Sequence, residues 1–287
     1  MLKKSIQKFE KEFETSQDFV DTPKLSVVLS KFDTNDGDKV ANVTELLQSV
    51  TDGLKKRRCR MKTLTINFNS PLQSYGNEAS FSRRTSSDYP SKSAVIGMLA
   101  AAMGYRRDDN RITALNDLKF AVRVDQPGRT LTDYQTVEWK KGTRKITYRD
   151  YLQDAVFVAA VGSDDSQLID ELADALRHPK FQLFLGRRAN VPAGPLKLHT
   201  VADENPVQAL SNLEWQASTW FQRQKKESVV SVDLIADADL LPKSLHTSGL
   251  AKDNVISFDQ RHRQLSFRAI ASQRIQLTNQ SFEKNDS

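Results

Sequence analysis

Ten residues, Ala94 to Met103, constrain this chain more than any others, because nearly every side chain in AVIGMLAAAM is apolar. A helix of that composition must be enclosed on most sides, so the rest of the chain has to build a core around it. Pro90 and Ser91 supply a start, with the Ser91 or Ser93 hydroxyl able to accept from first-turn amides, and Gly104 supplies the stop. Gly97, Ala100, Ala101 and Ala102 are small enough for neighbouring backbone to come close. Arginine pairs flank the run, Arg83 and Arg84 before it, Arg106 and Arg107 after it. Unpaired amides and the positive dipole end beside Lys92, Arg83 and Arg84 would suit a phosphate. The plainer alternative is a core helix whose arginines only face solvent. The second pair lies roughly 20 Å along the axis, at about 1.5 Å rise per residue, so any phosphate site belongs at the Arg83 end.

The elements around this helix repeat one pattern. MKTLTINF, from Met61, alternates Leu64, Ile66 and Phe68 with polar residues and reads as a strand, followed by a polar loop and the apolar helix. ITALNDL is expected to form a short helix and LKFAVRVD, Leu118 to Asp125, the next strand, which completes a β-α-β unit. Residues 126–150 are too polar for a core and have the pattern of a hairpin turning at Lys141 and Gly142. AVFVAAVG, Ala155 to Gly162, is a strongly apolar strand. Asp164 to Arg177 is an amphipathic helix with Leu168, Ile169, Leu172, Ala173 and Leu176 on one face, and FQLFLG at 181–186 is expected to be a fourth strand. Two β-α-β units in sequence predict an α+β, ferredoxin-like, RRM-like β-α-β-β-α-β domain, with helices on one face of an antiparallel sheet and the open face available to RNA. The expected division is residues 61–202 for this domain, with the hairpin inserted at about 126–150, and 203–287 for a smaller β-rich C-terminal region containing LKLHTV at its approach, then NPVQALSNL, SVVSVDLIAD and QLSFRAIASQRIQL. Residues 1–60 read as an appended arm: charge-rich, with a turn cluster DTNDGD, a possible short helix VTELLQSVTDGL and a basic linker KKRRCR.

Composition narrows the chemistry. Lys and Arg outnumber Asp and Glu by 42 to 36, giving a formal charge of +6, which favours a polyanionic partner. A single cysteine, Cys59, excludes an intramolecular disulfide framework, so a reducing, cytoplasmic location is expected. The longest apolar run is too short to cross a bilayer, and the N-terminus is charged where a signal peptide would be apolar, so no membrane segment is expected. The four histidines, His178, His199, His246 and His262, lack metal-ligand spacing, and no GxSxG or phosphate-loop motif occurs, so neither metal nor cofactor is expected. A metal-free ribonuclease would need a base and an acid; Tyr89, Lys92, and His178 with Lys180 are the candidates.

Two basic segments stand out. The hairpin carries Arg129, Lys140, Lys141, Arg144, Lys145 and Arg149 beside Tyr134, Trp139 and Tyr148, side chains that contact phosphates and stack on bases. An exposed hairpin with ordinary cross-strand aromatic pairs would look the same. GRRANVPAGP, from Gly186 to Pro195, pairs glycines with Arg187 and Arg188, which could let backbone approach a ligand while two arginines hold phosphate.

Several of these motifs occur together in one order: SPLQSYG (70–76), RRTSSDYPSKSAVIGMLAAAMGYRRDD (83–109), LKFAVRVD (118–125), DYQTV (133–137), YRDYLQDAVFVAAV (148–161) and FLGRRANVPAGPLKL (184–198). In that set the chain resembles the CasD family of type I-E CRISPR Cascade subunits, the Cas-five branch of the RAMP superfamily. The similarity runs from Met61, is tight to about residue 212 and is loose thereafter. The resemblance implies a non-catalytic, crRNA-binding subunit that holds the 5′ handle, caps the backbone-subunit filament and touches the large PAM-reading subunit, meeting target DNA only indirectly. It identifies residues 126–150 as the thumb hairpin, with Tyr134, Trp139, Lys140, Lys141, Arg144 and Lys145 as RNA contacts. It carries handle contact to Arg83, Arg84, Ser91 and Lys92, and to the loop residues Gly186, Arg187 and Arg188. Two alternatives stay open. Some relatives are metal-independent CRISPR-repeat endoribonucleases using a tyrosine, lysine and histidine, although this chain has no adjacent Lys-His pair; a protein-only scaffold is the other.

Overall fold

β1 (Lys62–Asn69) runs through the middle of the structure with every residue from Thr63 to Ile66 buried. Its alternation sends Leu64, Ile66 and Phe68 into the main core and Thr63 and Thr65 to the other face, where the Thr63 hydroxyl donates to the Glu204 carbonyl at 2.6 Å. The computed structural model describes residues 61–76, 83–242, 247–259 and 261–283, which fall in the compact unit Cys59–Ser287. The expected turn, helix and basic linker of residues 1–60 lie outside the described residues.

The short strands β2 (Leu72–Gln73), β3 (Tyr75–Gly76), β4 (Arg83–Arg84) and β5 (Ser86–Ser87) lead to α1 (Lys92–Met103). The Ser91 hydroxyl caps α1 by accepting from the Ala94 amide at 3.3 Å, and Gly104 closes it at φ 78, the left-handed conformation glycine adopts without penalty. The one-turn α2 (Arg111–Ala114) continues as a 3-10 turn over Leu115–Asp117. Then come β6 (Lys119–Gln126), the long ribbon β7 (Arg129–Lys140) and β8 (Thr143–Gln153), and β9 (Val156–Ser163). α3 (Ser166–Arg177) starts on Asp165, whose carboxylate accepts from the Gln167 and Leu168 amides, and buries Ile169, Leu172, Ala173 and Leu176. β10 (Leu198–Val201), α4 (Pro206–Asn212), α5 (Thr219–Gln224), β11 (Val229–Asp237), β12 (Thr247–Ser257), β13 (Gln264–Thr278) and α6 (Gln280–Glu283) complete the described chain.

The main sheet has seven strands in the order β10-β1-β9-β6-β11-β13-β12, every neighbour antiparallel. Its first four strands interleave the two β-α-β units, so that β9 of the second unit lies between β1 and β6 of the first. That is the split β-α-β arrangement expected from the sequence, and α1 and α3 pack together over one face of it.

Two expectations are corrected. FQLFLG is not a strand. Leu183 and Leu185 are buried, but both edges of β1 are already occupied by β9 and β10, so this segment instead bonds irregularly, the Ser74 amide donating to the Leu185 carbonyl at 3.2 Å. The sheet face opposite α1 and α3 is not open: Val207 and Leu210 of α4 pack on Ala121, Val158 and Ala160. The C-terminal strands continue the same sheet, β11 pairing directly with β6.

Candidate nucleic-acid interface

The β7-β8 ribbon projects from the body with little core of its own. Its turn falls at Lys141 and Gly142 as expected, the Gly142 amide donating to the Glu138 carboxylate at 2.8 Å. Tyr134 and Trp139 are each 69% exposed, and Leu131, Val137, Ile146 and Tyr148 are also exposed; only Asp150 to Leu152 at the root are buried. Cross-strand partners share a face, so the register sorts the side chains. One face carries Tyr134, Tyr148, Thr136 and Ile146, together with the opposed charges Glu138 and Arg144, 3.6 Å apart. The other carries Val137 with Lys145, Lys140 with Thr143, Asp133 with Arg149 and Leu131 with Tyr151. The first face is aromatic and close to neutral; the second is basic. Trp139 sits at the irregularity between Glu138 and Lys140, and Lys141 is exposed at the tip.

The arginines predicted far apart in sequence converge at the root. β4 runs parallel to β8, setting Arg83 beside Tyr148 and Arg84 beside Arg149. Arg83 lies 3.7 Å from the Asp150 carboxylate. Arg187 stacks over the Tyr151 ring at 4.5 Å and donates from Nη2 to the Arg84 carbonyl at 3.0 Å, while Arg188 is exposed. Two donors here, Arg149 Nε and Arg187 Nη1, are buried and meet no acceptor among the described residues. Leaving such a donor unpaired costs about 1–3 kcal/mol, so a guanidinium pair in this state is complementary to an acceptor-rich anion. Beside it lies a cleft of about 410 Å³ lined by Pro71, Leu72, Leu131, Tyr151 and Val191 among others.

Gly186 is required at the root by the chain itself: its φ is +89 and a Cβ would sit 1.6 Å from the Ser74 carbonyl oxygen. The loop is tied down by buried Asn190, whose carbonyl accepts from the Leu185 amide at 2.7 Å and whose amide donates to the Arg187 carbonyl at 2.8 Å.

The end of α1 does not join this cluster, which corrects the expectation of an open helix terminus. Ser91 is engaged as the cap, and the Lys92 amide donates to the Asp253 carboxylate of β12 at 2.8 Å, filling the anion position with the protein's own group. Lys92 itself is buried; its ammonium donates to the Asn116 carbonyl at 2.8 Å and lies 3.5 Å from Asp237. Burial pushes that ammonium below the usual lysine range, and Asp237 opposes the shift. Arg268 closes the network by bonding both Asp253 and Asp237. The acid and base candidates split between the two ends of α1: Tyr89, raised by burial and then by Asp253, shares the Asp253 and Arg268 surroundings with Lys92, whereas His178 lies against Asp174, 3.2 Å away, at the exposed end of α3, where the Lys180 amide donates to the Ala102 carbonyl. Arg106 and Arg107 are exposed beyond the other end of α1.

Arg149 was visible in the sequence only as one more hairpin cation; its pairing with Arg84 needed the parallel β4-β8 contact, which no periodicity announces.

Residues 63–273 match the family described as CRISPR-associated protein (Cas_Cas5). The CRISPR system Cascade subunit CasD of Escherichia coli (strain K12) is 32% identical over 171 residues, covering 53% of this chain and 76% of that protein. Among solved structures, a chain of a CRISPR RNA-guided surveillance complex is similar at 31% identity and a TM-score of 0.60, over 75% of this chain and 91% of that one. A second, described as a Cas protein, is similar at 28% identity and a TM-score of 0.56, over 76% and 96%.

Proposed function

This chain belongs to the CRISPR-associated protein (Cas_Cas5) family, and on that premise we propose that it is the crRNA-binding subunit of a Cascade surveillance complex, holding the 5′ handle at the root of the β7-β8 ribbon. The observation that carries this reading is the convergence of Arg84, Arg149 and Arg187, with two buried donors that meet no acceptor among the described residues. A phosphodiester supplies several acceptor oxygens and negative charge to both guanidinium groups. From the root, the basic face of the ribbon, with Lys140 and Lys145, continues the path along the strand, and exposed Trp139 beside the tip offers a ring for a base, while Tyr134 lies on the opposite, neutral face. The subunit also caps the backbone-subunit filament and contacts the large PAM-reading subunit, and the neutral, aromatic ribbon face is a surface suited to protein.

The subunit works without catalysis in this reading. Lys92 is buried against Asn116 and Asp237 at the first turn of α1, whereas His178 lies two residues before Lys180, whose amide donates to Ala102 in the last turn of α1, so Lys92 and His178 do not share one site. RNA bearing the handle should therefore be recovered intact after incubation in EDTA. Binding is tested by reversing charge at Arg84, Arg187 and, as an exposed companion less exposed to folding effects, Arg188. Each reversal is expected to weaken handle-bearing RNA at least about tenfold and to flatten the salt dependence, because each lost phosphate contact releases fewer counterions. Equal affinity for RNA without the handle, or discrete cleavage in EDTA, would overturn the assignment.

A further inference from the structure

A second aromatic and basic surface lies outside every motif considered so far. α5 and the turn after it read TWFQRQKK, Thr219 to Lys226: three cations, no carboxylate and two aromatic rings. Trp220 is 51% exposed, although tryptophan is an expensive side chain to leave in water. Its ring is not loose. It meets Phe221 edge to face at 5.6 Å, and Phe221 in turn meets buried Trp215 at 6.1 Å.

The segment is held far more firmly than a six-residue helix holds itself. Fully buried Asn279 donates through Nδ2 to the carbonyls of Gln222, Lys225 and Glu227, at 2.9 to 3.1 Å. Buried Gln222 donates back to the Trp215 and Ala217 carbonyls, and Trp215 donates from its indole to the Asp125 carbonyl at 2.9 Å. Arg223, Lys225 and Lys226 are all exposed around this frame, with the Lys225 ammonium 5.5 Å from the Phe221 ring. A half-exposed indole packed edge to face on an anchored Phe221, on a segment with exposed Arg223, Lys225 and Lys226, is a stacking surface beside positive charge, and the two lysines favour a nucleic acid over a protein partner, whose interfaces are depleted in lysine.

This surface connects with the ribbon root through one buried side chain. Gln126 accepts from the Ser218 amide at 3.2 Å, two residues before Trp220, and donates to the Asp154 carbonyl, one residue beyond the end of β8. Exposed Arg129, which pairs with Gln153, begins the ribbon on that side. We propose that Trp220, with Arg223, Lys225 and Lys226, forms a second contact for the same single-stranded RNA, stacking a base beyond the segment held at the ribbon root. The proposal rests on the RNA-binding function above and adds a site to it.

The test titrates the full chain with fluorescently labelled handle-bearing RNA. Trp220→Ala is expected to weaken binding about tenfold, the loss of one base-aromatic stack. The double variant Arg223→Glu with Lys226→Glu should weaken it similarly while leaving the indole in place, and both should keep the parent melting temperature. In a Trp139→Phe background, RNA should also quench indole fluorescence, and that quenching should vanish with Trp220→Phe, because the remaining Trp215 is buried. Unchanged RNA affinity in both α5 variants, with Arg187→Glu still impaired, would overturn the second contact and leave the RNA-binding function standing. Failure of the parent chain to bind would remove both. Retained RNA affinity with loss of a copurifying protein subunit would make the surface a protein contact and overturn the proposal.

Discussion

Arg268 decides which part of this molecule is free to meet a ligand. It reaches two carboxylates at once, Asp253 through Nε and Nη2 at 3.0 and 2.9 Å and Asp237 through Nη1, and those carboxylates hold the amide and the ammonium of Lys92. The helix end that looked open in the sequence is therefore closed by Asp253, 161 residues further on, which residue spacing near Lys92 could not reveal. Removing the guanidinium leaves two buried carboxylates facing one lysine. Arg268→Ala is expected to destabilise the fold by about 3–5 kcal/mol, the usual consequence of uncompensated buried charge. Urea unfolding measures it, and a change below about 1 kcal/mol would mean the network contributes little. Local signals, by contrast, were legible: Ser91 and Gly104 bound α1 where they were expected to, and Asp165 caps α3.

Among the elements, the ribbon is the most readable and the least self-sufficient. Alternation on both strands and a Lys-Gly turn announce it in the sequence, because hairpin chemistry is local. Two-stranded ribbons are marginal alone, and among the described residues this one is anchored at its root, by β2, β4 and the bond from the Ser74 hydroxyl to the Asp150 carbonyl at 3.0 Å. Its distal half should then contribute to binding and hardly to stability. Replacing residues 135–147 by Asn-Gly, which joins Tyr134 to Tyr148 across their existing pair, is expected to change unfolding free energy by less than about 0.5 kcal/mol while weakening RNA at least about tenfold. Calorimetry and RNA titration on the same sample check both halves; a large loss of stability would show that the ribbon supports the body. FQLFLG shows the opposite case. Its alternate residues Leu183 and Leu185 are buried as a strand's would be, yet strand identity depends on a free neighbour edge, and β10 took it.

For the whole molecule, the interleaving of two β-α-β units was legible from their order, but the fate of the second sheet face was not. Small residues on that face, Ala121 and Ala160, accept α4 closely, and β11, β13 and β12 lengthen the sheet beyond β6. The family match spans both halves, residues 63–273. With both faces covered there, the concentration of positive charge lies at the ribbon root, where Arg83 meets Asp150, Arg149 pairs with Asp133, and Arg84 and Arg187 are joined through the Arg84 carbonyl. The most direct measurement is to purify the full chain with the products of its neighbouring genes and sequence the RNA that comes with it. RNAs sharing one common 5′ segment, and their loss when Arg84 and Arg187 are both reversed to glutamate, are the predicted result. An intact complex without RNA, or RNA with no shared 5′ segment, would contradict it.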